Sequence, residues 1–278
     1  MSVASAPSFA STATSGVVSG DSTECGKPLV SVITPNKNGL PYIRDTAESV
    51  LGQSVTDLEW IVVDDGSSDG SVEFVAALAE RDRRVKLFVL RHDDEHGAGP
   101  ARNKGLDEAT GRYVAFVDAD DCWTREKLEK QLSFMELTGS SFSFTAYELV
   151  DETGRSTGRV IDQRPRRPVT YPVLLRKAVG LGCSTVVLRR SVVGQARFKS
   201  LRTGQDFVFW LTLLRRGLNA DLLPEPLTRY RVLAGSLSRN KWRRALQQWH
   251  IYRHVERLGL LTAVICFASY AYGGLRRK

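Results

Sequence analysis

The sequence predicts an α/β fold: an open, mostly parallel sheet with helices on both faces, followed by a more mixed half. Three observations carry this. Between residues 29 and 137, short apolar runs alternate with stretches of helical period, four of each. Such an alternation buries its apolar surface as a parallel sheet wrapped by helices. Polar, acid-rich clusters follow the strand ends, where open α/β sheets bind their ligands. With 278 residues, 42% hydrophobic and 25% charged, the chain can bury a sizeable core, and collagenous, coiled-coil and wholly disordered classes are excluded.

In chain order, Leu29–Thr34 is a short apolar run closed by Pro35, a buried strand. Residues 41–53 open with Pro41 at a first helical position and set Ile43, Ala47, Val50 and Leu51 on one face. Leu58–Val63 is a second strand, and residues 71–82 form a helix with Val72, Val75, Ala76 and Ala79 in register. Val85–Leu90 is a third strand, with a helix over 101–109. Tyr113–Val117 is a fourth strand, and residues 124–137 form a helix capped by Thr124 with Leu128, Leu132 and Met135 inward. Beyond residue 140 the alternation loosens. Phe142/Phe144/Ala146 and Ser184–Leu188 read as strands of a mixed extension, separated by a Pro/Arg-rich loop at 162–172.

The two ends differ from this body. Residues 1–27 are rich in Ser, Ala, Thr and Gly, almost uncharged and without period, and read as a disordered leader rather than a secretory signal. Residues 28–240 form the main domain. The formal charge is +8, but residues 229–278 hold eleven Lys/Arg against Glu256 alone, a net of +10, which leaves the rest at −2. The basicity therefore belongs to a C-terminal appendage, 241–278, and implies no nucleic-acid partner. Four scattered cysteines without a C-x-x-C pair suggest neither a zinc ribbon nor a disulfide framework; they read as reduced cytosolic thiols.

Three polar rims stand at strand ends: Pro35-Asn36-Lys37-Asn38-Gly39, then Asp64-Asp65-Gly66-Ser67-Ser68-Asp69, then Asp118-Ala119-Asp120-Asp121. Converging carboxylates repel one another unless a cation or hydrogen-bond donors receive them. Oxygen ligands point to Mg2+ or Mn2+ rather than zinc. Asp64 and Asp69 also fit a plain structural use, capping a turn and the next helix, and Asp118 or Asp121 fits a cap for the helix at Thr124. The Asp65–Gly70 run opens like a calcium loop, but Ala76 occupies the position that needs a bidentate glutamate. No phosphate-binding G-x-x-x-x-G-K-[ST] loop exists.

Taken together these segments resemble the family 2 glycosyltransferases of the GT-A fold, over about Val30 to Asn240. Val30-Ser-Val-Ile-Thr-Pro35 with Asn38 is similar to their opening strand and turn, and Ile61-Val-Val-Asp-Asp-Gly-Ser-Ser-Asp69 to their nucleotide-binding signature. Gly97 through Arg102-Asn103, and Gly111 through Asp118-Ala-Asp-Asp121, resemble the glycine–Arg-Asn and D-x-D regions. Gly204-Gln-Asp206 through Trp210 resembles the segment with the catalytic base, and Tyr230-Arg231 through Gly235–Asn240 the element after it in bacterial surface-polysaccharide members.

The resemblance implies a nucleotide site at Pro35, Lys37, Asp64, Asp65, Arg102 and Asp118. Asp65 would bond the nucleobase and Asp64 would support its loop. Asp118 would contact the ribose or the metal's shell, Asp120 would bind Mn2+ or Mg2+, and Arg102 would reach the diphosphate or make a helix-surface ion pair. Asp206 would be the base, with a helix cap as its structural alternative. Lys37 replaces the family's usual tyrosine, so it would reach phosphate or lie over the base as a cation–π partner. Gln205 replaces a common glutamate. No Q-x-x-R-W element is present, which disfavours a processive synthase.

The expected activity is inverting, metal-dependent transfer from a nucleotide-sugar donor, UDP-linked, to a lipid-linked or saccharide acceptor in envelope or capsule polysaccharide assembly. The alternatives are a non-catalytic sugar-nucleotide binder of the same fold and a nucleotidyltransferase. As a helix, residues 241–257 would set Trp242, Ala245, Leu246, Trp249 and Tyr252 on one stripe, and Leu258–Leu275 is uncharged. The stripe packs either on the core or on an anionic membrane surface. The expectation is peripheral association with the inner face of the plasma membrane, on the cytoplasmic side.

Overall fold

The computed structural model describes residues 26–162, 164, 167–176, 179–233 and 241–276. Residues 1–25 of the expected leader, Cys25 and the Gly235–Asn240 motif lie outside the described residues. Strands β1 (Val30–Asn36), β2 (Leu58–Asp64), β3 (Val85–Val89) and β4 (Tyr113–Phe116) alternate with helices α1 (Leu40–Leu51), α2 (Ser71–Arg81) and α3 (Ala98–Glu108). Then come β5 (Cys122–Trp123), α4 (Lys127–Thr138), β6 (Phe142–Val150), β7 (Ser156–Ile161), α5 (Tyr171–Leu175), β8 (Val186–Arg189), α6 (Arg190–Val193), α7 (Gln205–Arg215) and β9 (Asp221–Arg231). The chain ends in α8 (Lys241–His250), a π-helical turn (Ile251–Val255) and α9 (Leu260–Arg276).

The described strands make one sheet in the order β3-β2-β1-β4-β8-β6-β9-β5, with β7 paired to β6. Its first half, β3-β2-β1-β4, is wholly parallel. In the second half β8 is antiparallel to both β4 and β6, while β6 and β9 run parallel. Strand alternation divides the core. Val30, Val32, Trp60 and Val62 point to one face, against Ile43, Val50, Val75 and Leu128. Ile33, Ile61, Val63 and Phe116 point to the other, against Ala101, Leu106, Phe209 and Trp210.

Several sequence-based boundaries shift for physical reasons. β1 does not stop at Pro35. Pairing with β4 ends at Ile33, so Pro35 has only β2 beside it and its missing N–H breaks no ladder on the far side. α3 starts at Ala98, because Pro100 is tolerated in a first turn. Thr124 is not a helix cap: α4 begins at Lys127, Glu126 precedes it, and the Thr124 hydroxyl is buried without a hydrogen-bond partner. Residues 183–185 form a 3-10 turn ahead of β8 rather than its first half. One glycine is sterically required between layers. A Cβ on Gly105 would lie 2.5 Å from Ile33 Cγ2, so its absence lets α3 press onto β1.

The tail is helical from Lys241 to Val255, but its last turn is π rather than α, so it is not one regular amphipathic helix over 241–257. α8 ends at His250, and the π turn rotates Ile251 and Tyr252 into the core, where both are buried and Tyr252 donates to the Leu175 carbonyl at 2.7 Å. Trp249 is partly buried against the same cluster, whereas Leu246 stays 69% exposed. The side chain of Trp242 lies outside the described residues. Glu256 accepts from the Tyr171 hydroxyl at 2.7 Å and from Arg215, fastening the tail to α5 and α7. No described helix is long and apolar enough to cross a membrane.

Candidate active site

The carboxyl ends of β1, β2 and β4 bring the three polar rims together. Asp64 is fully buried and is used up inside its own turn: it accepts from Ser67 N (2.7 Å), Ser67 Oγ (2.6 Å) and Asn36 Nδ2 (2.6 Å). Gly66 makes that turn in the left-handed region at φ 76°. Asp69 accepts from Leu40 N (2.8 Å) and Ser71 N (3.0 Å), so one carboxylate joins the N-termini of α1 and α2. Asp65 points elsewhere. Its Oδ1 receives His96 Nδ1 at 2.5 Å and its Oδ2 receives Gly97 N at 3.1 Å. That bond raises the His96 pKa above its ordinary value. Lys37 donates to the carbonyls of Asp65 and Gly66, which leaves its ammonium against the turn's backbone.

The third rim holds three carboxylates with three different fates. Asp121 is buried and structural: Oδ2 accepts from Ser184 Oγ at 2.5 Å and Oδ1 from Arg231 N at 2.9 Å. Burial first, then the charges of Asp120 and Asp118, pushes its pKa well up. Asp118 meets Arg102 Nη2 at 2.5 Å, with 29% of its side chain exposed. Asp120 is pushed up to about 6, by burial and then by the negative charge of Asp118. Arg231 holds this run from behind, donating from Nε to the Asp120 carbonyl at 2.9 Å and from Nη2 to Asp45 at 2.9 Å.

Arg102 is not on a helix surface. Its side chain is 7% exposed, and its guanidinium spans from Asp118 to Gln205 Oε1 at 3.4 Å. Burial opposes its charge, but Cys183, Asp118 and Asp206 hold its pKa above the usual value. Gln205 opens α7, and Asp206 follows in its first turn, accepting from Phe207 N at 2.8 Å. Tyr230 feels Asp121, Asp118, Asp120 and Asp206 together. Burial, and after it those four charges, raises its phenol.

The oxygen donors of Asp118 and Asp120 fit a hard divalent cation. Two carboxylates whose charges oppose each other are the pair that such an ion stabilises, and Mg2+ commonly takes one or two carboxylates plus substrate phosphates and water. Among the described residues no three His, Cys, Asp or Glu side chains form a closed metal cage, and none of the described cysteines is paired. Sequence reasoning passed over His96, Ser184 and Arg231 as site residues. Ser184 and Arg231 act across the sheet at separations of 63 and 110 residues from Asp121, which no local pattern reveals.

Comparison with known proteins gives a consistent picture. A family model described as glycosyl transferase family 2 matches residues 31–196. The chain is 42% identical over 252 residues to TuaG of Bacillus subtilis, named for teichuronic acid biosynthesis, covering 91% of this chain and 98% of that protein. It is 33% identical over 247 residues to WfaP of Escherichia coli, named as a UDP-Glc:alpha-D-GlcNAc-diphosphoundecaprenol beta-1,3-glucosyltransferase, covering 89% of this chain and 94% of WfaP. The fold is similar to that of S. aureus TarS 1-349 in complex with UDP-GlcNAc, at TM-score 0.66 and 23% identity, over 85% of this chain and 66% of that one. With an α/β sheet of the GT-A kind and the family's model spanning most of its length, the chain belongs to glycosyl transferase family 2.

Proposed function

We propose that the protein transfers one sugar, with inversion, from a UDP-sugar to a lipid-linked saccharide at the cytoplasmic face of the plasma membrane, in surface-polysaccharide assembly. The observation that supports this is the Arg102 bridge, which joins Asp118 of the acid run to Gln205, the residue before Asp206, at the start of α7. The named activity of WfaP supports the UDP donor and the diphosphate-lipid acceptor.

Asp65, with His96 and Gly97 N on its carboxylate, would hold the nucleobase edge, while Asp64 keeps the turn in shape. Asp118 and Asp120 would hold Mn2+ or Mg2+, which when bound neutralises the diphosphate of the leaving group. Asp206 would take the proton from the acceptor hydroxyl. That oxygen bonds the anomeric carbon as the bond to the nucleoside diphosphate breaks on the opposite side, which inverts the centre. Lys37, held by two carbonyls, would border the base rather than stack on it.

The test is transfer from a panel of nucleotide sugars to a diphosphate-lipid-linked saccharide, with manganese and with chelator. Turnover with UDP-sugars and manganese supports the reading. Equal turnover in chelator removes the metal from it, and turnover with another nucleotide class alone removes UDP.

A further inference from the structure

α9 is apolar around most of its circumference, yet among its described side chains only one side is covered. Ala263 and Cys266 are buried and Phe267 packs against the core. Leu260, Leu261, Val264 and Ile265 are 61%, 76%, 47% and 48% exposed, and Ala268 lies on the same side. At 100° per residue these five fall within one contiguous face, turned away from the core-facing stripe. A helix hydrophobic on all sides is normally buried on all sides. At 17 residues α9 is about 25 Å long, short of a ~30 Å hydrocarbon core, so it fits along a bilayer surface rather than through it.

The charge around this face selects its partner. Arg257 is exposed just before it, Arg276, Arg277 and Lys278 follow in sequence, and the last fifty residues carry +10. Glu256, the acid in that stretch, is committed to Tyr171 and Arg215. A second copy of the chain would bring the same cationic end against itself, whereas an anionic lipid surface meets both the apolar face and its cationic flanks.

We propose that the outward face of α9, rather than the α8 stripe around Leu246, is the surface that seats this protein on an anionic bilayer. The proposal rests on the membrane-borne acceptor inferred above. A physical link connects this seat to the Asp206 end of the candidate site. Gly204, at φ 76°, lies two residues before Asp206, and a Cβ there would come within 2.9 Å of Ile251 Cδ1. The turn leading into the tail therefore presses directly on the N-terminus of α7. Docking α9 would therefore hold that end of α7 in a fixed relation to the lipid plane.

The experiment is co-sedimentation of the full chain with vesicles of phosphatidylglycerol and phosphatidylcholine, or of phosphatidylcholine alone. Wild type should pellet with the anionic vesicles, less so as salt rises. The double variant Leu261→Glu/Ile265→Glu should lose at least tenfold in partitioning with an unchanged thermal midpoint, and Leu246→Glu should bind like wild type. Unchanged binding of the double variant, or loss with Leu246→Glu alone, overturns the assignment. So does a lipid-independent dimer, seen by sedimentation velocity, that the double variant dissolves. Transfer to a diphosphate-lipid acceptor dispersed in detergent separates the two claims. Transfer without vesicle binding sinks the α9 seat and keeps the acceptor; vesicle binding through α9 without transfer keeps the seat and sinks the acceptor.

Discussion

Arg102 and Asp118 meet at 2.5 Å with the arginine almost fully enclosed, and the same guanidinium reaches Gln205, the residue before Asp206. One side chain from α3 thus fixes the spacing between the acid run after β4 and the first turn of α7. The glutamine also explains its own presence: its oxygen accepts from Arg102 while its amide donates to the Leu201 carbonyl, a double use that glutamate lacks.

Arg102→Ala should remove a charge-assisted bond from a largely enclosed site and destabilise the fold by about 1.5–3 kcal/mol, read from the denaturant midpoint. Arg102→Lys should recover stability only in part, because an ammonium does not fork to both partners. Full activity in the lysine variant would show that the bridge does not set the site's spacing.

Asp120 leads to a pH prediction. Burial, and then the Asp118 charge, raises its carboxyl to about 6, so protonation through that region would weaken the cation binding proposed for it. Apparent Mn2+ affinity should therefore fall as pH drops from 7 through 6 to 5. Asp120→Asn should abolish that pH dependence together with most activity, measured as transfer against manganese concentration.

Asp206→Asn should lower transfer by roughly 10²–10⁴-fold while leaving UDP affinity near wild type. Calorimetric titration with UDP beside single-turnover rates reads the two effects separately. Wild-type rates would assign Asp206 to capping Phe207 N and put the base elsewhere.

Glu59, 4% exposed, accepts from Ser31 Oγ (2.5 Å), Thr110 N (2.8 Å) and Lys86 Nζ (2.6 Å). Burial alone would raise its pKa, but bonds from Lys86, Ser31 and Thr110 together lower it. A carboxylate depressed in the folded state stabilises above its unfolded pKa of about 4.3, and the contribution is lost as pH falls through the lower folded value. Glu59→Gln should cost roughly 1.5–3 kcal/mol at pH 7 and much less in strong acid, measured by urea unfolding at both pH values.

The parallel half was legible in the sequence because each strand and helix there carries its own period. Ile43, Ala47 and Val50 sit inward as expected, as do Leu128, Leu132 and Met135. The failures are places where tertiary contact outranks local pattern. Thr124 has the chemistry of a cap, but Leu227 and Gln53 take its backbone and the helix starts later. The stripe from Trp242 to Tyr252 looks continuous at 3.6 residues per turn, yet the π turn at Ile251–Val255 changes the period where it meets α5. At the site, Asp64 and Asp65 are adjacent and chemically identical. Local pattern does not tell them apart; the family resemblance does, and the fold supplies the physical difference, one sealed beneath Ser67 and the other reaching His96.

The acid run after β4 is closed by the far end of the chain. Trp123 pairs with Thr228, and Asp121 takes the backbone N–H of Arg231, 110 residues further on. Synthesis delivers the four parallel strands well before β9, so until residue 231 is made Asp121 lacks one of its two partners. A chain ending before residue 221 would lack β9 and with it the backbone N–H of Arg231 on Asp121, so its Asp118–Asp121 run should be less ordered than in the full chain.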